Sequence, residues 1–244
     1  MRKKKLMLTL LVAALTLVLS SGLALAFQQT FFGEDLGLGE GTPLSSWPNA
    51  AAARSSFLSN LIGVGTENFE SYADGTGAPL AITFPGAGTA TLSGTGYVNS
   101  VTPGTTNGDG RYATSGSNYW EGSGTFYIEF NSPVAALGFY GIDIGDFSGQ
   151  VTLKTENGVT TNYTIPNTVN GKGGSVLFYG VIDTDNPFIT ATFGNTASDT
   201  DYFGFDDMTI GSVEQFQPAP VPGALMLLGT GLLGLLGLRR FSRN

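Results

Sequence analysis

The chain has 244 residues and contains neither cysteine nor histidine, which excludes disulfides, thiolate chemistry, Ser-His-Asp and Cys-His triads and His-ligated zinc. Its 19 acidic residues outnumber 11 basic ones, and seven of the basic residues (Arg2, Lys3, Lys4, Lys5, Arg239, Arg240 and Arg243) sit at the two ends. The middle keeps four basic against 19 acidic residues, or −15, a balance that repels phosphate backbones, excludes nucleic acid as a partner and favours solubility and divalent cations.

Residues 1–26 have the anatomy of a secretory signal. Arg2 to Lys5 form a positive leader, Leu6 to Leu19 an apolar run, and Ala24-Leu25-Ala26 a small-x-small cleavage site. Cutting between Ala26 and Phe27 by signal peptidase, after passage through the Sec translocon, leaves Phe27 as the mature N-terminus. Residues 27–67 are expected to form an N-terminal segment. It opens with Phe31-Phe32-Gly33-Glu34-Asp35, a polar, glycine-rich stretch to Gly41 to which the residues assign no chemistry. A helix follows from Pro48 to Ile62: proline is tolerated in a first turn, Phe57, Leu58, Leu61 and Ile62 make an apolar face, and Gly63 ends it.

From Asn68 the pattern switches to short strands punctuated by Gly, Asn and Asp. With 36 glycines, 17 Phe and 9 Tyr, the composition favours pleated surfaces over helices. Gly124 to Phe130 alternates, with Phe126, Ile128 and Phe130 on one face. Val134 to Tyr140 is a nearly unbroken apolar run, as in a central strand. Gln150–Thr155 and Val159–Ile165 flank Glu156-Asn157-Gly158, a hairpin signal. Ser175–Ile182, Phe188–Phe193 and Tyr202–Ile210 complete eight to ten strands. Ser100–Gly110 and Pro166–Gly174 read as long loops. The expected fold is all-β, a β-sandwich or jelly roll over residues 68–212, with a short N-terminal helix and a C-terminal transmembrane helix.

Residues 213–222 form a linker and proline-rich stalk, and residues 223–244 an apolar tail with a basic end. Val221 to Leu238 spans 18 residues, ~27 Å as a helix, close to a hydrocarbon core of about 30 Å. The terminal arginines hold this end in the cytoplasm and leave the acidic middle outside. The stretch VPGALMLLGTGLLGLLGLRR, with Pro220, Val221, Pro222, Gly223, Gly231, Gly234, Arg239 and Arg240 as its marks, resembles the PEP-CTERM sorting signal. The namesake Pro-Glu-Pro is replaced by Pro218-Ala219-Pro220 and Val221-Pro222. The resemblance implies recognition by an exosortase-type membrane peptidase. It also implies export to the cell surface or matrix, membrane-anchored or released, beside exopolysaccharide.

The middle resembles lectin-like and carbohydrate-binding-module jelly rolls in two places: Asn68-Phe69-Glu70 with Asp74-Gly75, and Gly204-Phe205-Asp206-Asp207-Met208. That resemblance implies a structural calcium (Ca2+) joining the first and last strands, with Glu70, Asp74, Asp206 and Asp207 as candidate ligands. In a regular strand Asp206 and Asp207 point to opposite faces, so one alone would ligate. Tyr119 and Trp120 are candidate sugar platforms, set against ordinary core packing. Glycoside hydrolysis needs only two carboxylates, and Glu121 with Glu129 or Asp143 with Asp146 are the pairs to test. The expectation is a non-enzymatic exported structural or adhesive protein. The alternatives are a carbohydrate-binding module with a defined glycan or, less favoured, a glycosidase.

Overall fold

The computed structural model describes residues 27–123, 126–197 and 201–217. The expected signal segment through Ala26, the first two residues of the expected Gly124–Phe130 strand and the expected sorting tail from residue 218 onward lie outside them. Among the described residues no helix is long and apolar enough to cross a membrane.

Among the described residues thirteen strands form two antiparallel sheets. The seven-stranded sheet contains β1 (Gln28–Asp35), β11 (Val176–Asp183), β8 (Ala136–Ile142), β13 (Tyr202–Gly211), β6 (Asn118–Ser123) and β5 (Tyr97–Ser100) in that order, with β2 (Thr66–Glu67) on β13. The six-stranded sheet has the order β10 (Thr160–Thr164), β9 (Val151–Glu156), β12 (Phe188–Asn195), β7 (Phe126–Val134), β4 (Gly88–Gly94) and β3 (Leu80–Phe84). The β-sandwich expected from the strand pattern is present.

Alternation places Phe126, Ile128 and Phe130 of β7 inward, against Leu137 and Phe139 of β8 and Phe203 and Phe205 of β13. Phe126 stacks on Phe193 at 4.5 Å and Phe139 on Phe205 at 4.8 Å. Offset aromatic pairs of this kind add to what area burial supplies. β8 is buried along its whole length, as an apolar run predicts for a strand covered on both faces, although it covers Ala136–Ile142 rather than Val134–Tyr140, Val134 being the last residue of β7. The hairpin also stands: Glu156 pairs with Thr160, and Gly158 takes the left-handed conformation (φ 75°) at its tip.

Three expectations need correction. The sandwich does not begin at residue 68, because β1 and β2 belong to it; β1 runs the whole length of β11 as an edge strand. The helix, α1, covers Pro48–Leu58 rather than reaching Ile62, and buries Ala50, Ala53 and Phe57 while Ile62 is exposed. Its free amides are capped by Asp35 at the end of β1: Oδ2 accepts from Ala50 N at 2.9 Å and Oδ1 from Asn49 N at 3.3 Å. Finally, β13 carries a bulge between Asp206 and Thr209, with Asp207 at φ 49°. The extra residue resets the alternation, so Phe203 and Phe205 before it and Met208 and Ile210 after it all face the interior.

α1 lies on the outer face of the seven-stranded sheet and makes a second core with Phe31, Tyr140, Phe178 and Ile182. Gly138 and Gly180 admit the ring of Phe57. A Cβ at either would sit 2.7 Å from that ring. The loop 101–117 covers the rest of this face, where Tyr112 is buried.

Candidate functional site

Glu121 on β6 and Tyr97 on β5 are cross-strand partners, and Gly204 of β13 and Ile142 of β8 continue the same row. All four therefore share the outer face. Glu121 is buried and gathers donors. Oε2 accepts from Asn99 Nδ2 at 2.8 Å, Tyr119 Oη at 3.0 Å and Asn107 Nδ2 at 3.1 Å, and Oε1 from Tyr97 Oη at 3.3 Å.

Arg111, on the loop 101–117, lies beside Glu121 with its side chain only 9% exposed. Its Nε is 3.4 Å from Glu121 Oε2, within ion-pair reach though without hydrogen-bond alignment. Nη1 donates to Asp143 Oδ2 and to the Asp109 carbonyl, both at 3.1 Å, and Nη2 to Asp109 Oδ2 at 3.2 Å. Tyr202 places its ring 5.7 Å from the guanidinium carbon. Asp143 follows β8 in a left-handed conformation (φ 65°), and its Oδ1 accepts from Gly174 N at 2.7 Å. Gly110 lets the loop lie on this carboxylate, for a Cβ there would fall 2.3 Å from Oδ1.

Burial pushes the Asp143 carboxyl up to about 7; the Gly174 amide and the Arg111 guanidinium pull it the other way, and neighbouring Asp146 adds to the rise. Asp201 is likewise pushed up to about 6 by burial and by Asp146. The Arg111 guanidinium is held above its ordinary range: burial works against its charge, but Glu121 and Asp143 outweigh it.

Beside these groups opens a polar cavity of about 490 Å3, lined by Tyr97, Asn99, Thr106, Asn107, Asp109 and Glu121 among others. The same loop is fastened elsewhere by carboxylates expected to bind calcium. Asp206 is fully buried, and its Oδ2 accepts from Thr114 N and Thr114 Oγ1 at 2.7 Å and from Ser115 N at 3.2 Å. Desolvation, then Asp207, raises its carboxyl well above the usual range. Asp207 Oδ1 accepts from Ser115 Oγ at 2.9 Å. The bulge thus turns both aspartates to one loop, where a regular strand would have parted them.

Glu70 Oε1 accepts from Ser117 N at 2.7 Å and Asn118 N at 2.6 Å, and Asp74 Oδ1 from Ser100 N at 3.2 Å. Each of the four carboxylates is engaged by protein donors. Among the described residues no three carboxylates converge as a metal-holding group. The arrangement does not fit a calcium shell of six to eight oxygens.

Tyr119 and Trp120 are both fully buried, which corrects their reading as platforms. Being adjacent in β6, they face opposite ways. Tyr119 meets Glu121 on the outer side, and Trp120 packs in the sandwich core 6.3 Å from Phe69. Of the glycosidase pairs, Glu121 and Glu129 do not assemble. Glu129 pairs with Thr91 and Thr190 and is exposed on the other sheet's outer face, away from Glu121. Asp143 and Asp146 are neighbours, the first buried and the second exposed. What sequence reasoning missed is the convergence of Asn99, Asn107 and Arg111 on Glu121. The only signal was a basic residue in an acidic, glycine-rich loop.

The position of the cavity is fixed by sheet registry. β8 runs from Ala136, level with Ile182 and Gly211, to Ile142, level with Val176 and Gly204. Phe27 lies at the first end on the β1 edge: its amide donates to Thr184 Oγ1 at 3.0 Å, and its ring is 4.7 Å from Phe216. Glu121 and Tyr97 lie level with Ile142 near the β5 edge. The cavity and the two ends of the described domain therefore occupy diagonally opposed corners, five strand spacings or ~24 Å apart across the sheet.

No family model matches the chain, and no curated protein matches it either. Several solved structures do. The K2 cleaved adhesin domain of Lys-gingipain is 16% identical, with 60% of this chain and 97% of that one covered and a TM-score of 0.37. TmCBM61, solved in complex with beta-1,4-galactotriose, is 14% identical over 60% of this chain and 94% of its own, with a TM-score of 0.28. A mutant of CBM29-2, a family 29 carbohydrate-binding module, is 15% identical over 80% of this chain and all of its own, also with a TM-score of 0.28. Likenesses of this size assign no ligand and no residue to the present chain.

Proposed function

We propose that this chain is an exported, non-catalytic surface module that binds an extracellular polysaccharide or adheres to a polysaccharide-rich matrix. The observation that carries the reading is the polar cavity on the corner of the sheet away from both ends of the domain. Its walls carry amides, hydroxyls and a tyrosine that is 38% exposed, groups that match the hydroxyls of a sugar. This corner lies away from Gln217, the residue that leads to the proposed sorting tail.

The delivery half of the proposal rests on the sequence of the two ends. The leader through Ala26 brings the chain to the Sec translocon, and signal peptidase leaves Phe27 first. The tail from Pro220 to Arg240 addresses the protein to an exosortase-type peptidase, which anchors or releases it at the surface. Phe27 supports this division, because the first residue after the proposed cut is already bonded into the sheet edge.

A glycan array probed with the full chain in mild detergent tests the binding half. Retention of one polysaccharide class, lost in Tyr97→Ala and Asn99→Ala, is the expected outcome; no retention of any glycan sinks it. Intact-mass measurement of the mature protein tests delivery. The N-terminus should be Phe27, whereas a full-length cytosolic chain with both ends uncut would remove the export reading.

A further inference from the structure

A second cavity, of about 270 Å3, lies next to the polar one, and Val101 and Thr105 line both. Its walls differ in kind. Pro43, Leu44, Trp47 and Pro103 face it, with Tyr112 beneath. Tyr112 is fixed, since its hydroxyl accepts from Leu44 N at 3.0 Å and donates to Gly174 O at 2.9 Å. Trp47 is half-buried, braced edge-on against Tyr140 at 6.4 Å, and lines the cavity. Of the two tryptophans in the chain, Trp120 is fully buried, so Trp47 alone can meet a ligand.

We infer that the Trp47 cavity is a second subsite for the polymer that enters the polar one, so that a single glycan chain crosses the Val101–Thr105 ridge. This rests on the reading of the polar cavity as a sugar site. A sugar ring is polar at its rim and apolar on its C–H face. The first cavity offers amide and hydroxyl partners for the rim, and the second offers an indole for the face.

The charge of the groove narrows the class. Asp109, 73% exposed in its side chain, stands at the polar end, and the whole exported portion carries −15. A polyanionic chain of uronate or sulfated sugars is repelled, so the occupant is an uncharged glycan several units long.

Ladders of one to six units of neutral gluco-, galacto- and manno-oligosaccharides, titrated against the full chain in detergent, test this, with an oligo-uronate ladder alongside. Affinity for at least one neutral ladder should climb about tenfold with length beyond the first units, the equivalent of ~1.4 kcal/mol. Tryptophan fluorescence should change as the longer members bind. In Trp47→Ala the gain with length disappears, and in Trp47→Phe the fluorescence change vanishes while most of the gain remains. Three results overturn the inference: neutral sugars binding with no dependence on length, a fluorescence change that survives in Trp47→Phe, or tighter binding of the uronate ladder. Each would leave the polar-cavity reading standing. Absence of binding by any sugar in every ladder and on the array removes that reading, and this inference with it.

Discussion

The two faces of the seven-stranded sheet are held by different physics. The inner face meets the other sheet mainly through aromatic and aliphatic side chains: Phe126, Phe139, Phe193 and Phe205 pack within 6 Å of one another wherever their rings meet. The outer face is split. Under α1 it is apolar, but under the loop 101–117 it is built from buried carboxylates, with Arg111 as a cation among them and side-chain amides, hydroxyls and backbone amides donating to the carboxylate oxygens. An apolar interior tolerates small shifts and loses stability in proportion to what is removed. A buried ionic network depends on every partner, because each unpaired charge left behind is expensive. The cavity proposed to bind sugar sits on the second kind of surface, where precise placement of donors matters more than packing volume.

Removing one side chain from each face gives the largest effects and a way to tell the faces apart. Phe205→Ala should cost about 3–5 kcal/mol, measured by urea unfolding, through lost contacts and the cavity left behind. Arg111→Ala should cost a similar ~3–5 kcal/mol, because Glu121 and Asp143 are then buried without a cation. The two variants differ in their pH response. The Phe205 variant keeps the wild-type dependence, whereas the Arg111 variant recovers part of its loss in acid, where its orphaned carboxylates take up protons. Equal pH profiles would mean that the outer face is held by packing after all.

Next in size is the pH dependence of the intact protein. Asp143, pushed up to about 7, and Asp201, pushed up to about 6, ordinarily titrate at 3.8. Between those values the folded chain holds protons that the unfolded chain has released. Stability from these groups is therefore complete below pH ~4 and is lost as pH rises through 7, at ~1.4 kcal/mol per pH unit for each proton that separates the two states. Thermal melts between pH 4 and 8 check the sign; a melting temperature that rises across this window would refute it. Smaller still is Lys154→Ala. Its ion pair with Glu156 spans 3.0 Å, but both side chains are nearly half exposed, so less than about 0.5 kcal/mol should be lost. Millimolar calcium should change the melting temperature least of all, since Glu70, Asp74, Asp206 and Asp207 already hold loop donors; a clear rise would show that these carboxylates can regroup around a cation.

The inner face was readable in the sequence because strand alternation is local. Phe126, Ile128 and Phe130 declare their common face by spacing two apart, and the run ending at Tyr140 declares a strand covered on both sides. The outer face was not readable in that way. Trp120 and Tyr119 look alike in sequence to exposed platforms, and burial is decided by what covers them. Trp47 read only as the approach to a helix, and its place in a cavity wall depends on how the loops of residues 36–47 and 101–117 meet. Phe31 to Asp35 was not read as a strand, because an edge strand is defined by its partner, here β11.

From its amino acids alone this chain is an all-β domain without thiol or imidazole chemistry, strongly acidic between two hydrophobic ends. Those properties follow from composition and from short-range periodicity, which need no knowledge of distant contacts. Only the tertiary structure decided that the bulge at Asp207 sends two aspartates to one loop, that Arg111 joins Glu121 to Asp143, and that a polar cavity and a tryptophan share the ridge from Val101 to Thr105. Each of these joins residues from separate strands and loops, and a charge or a ring acquires its role from the neighbours the fold supplies.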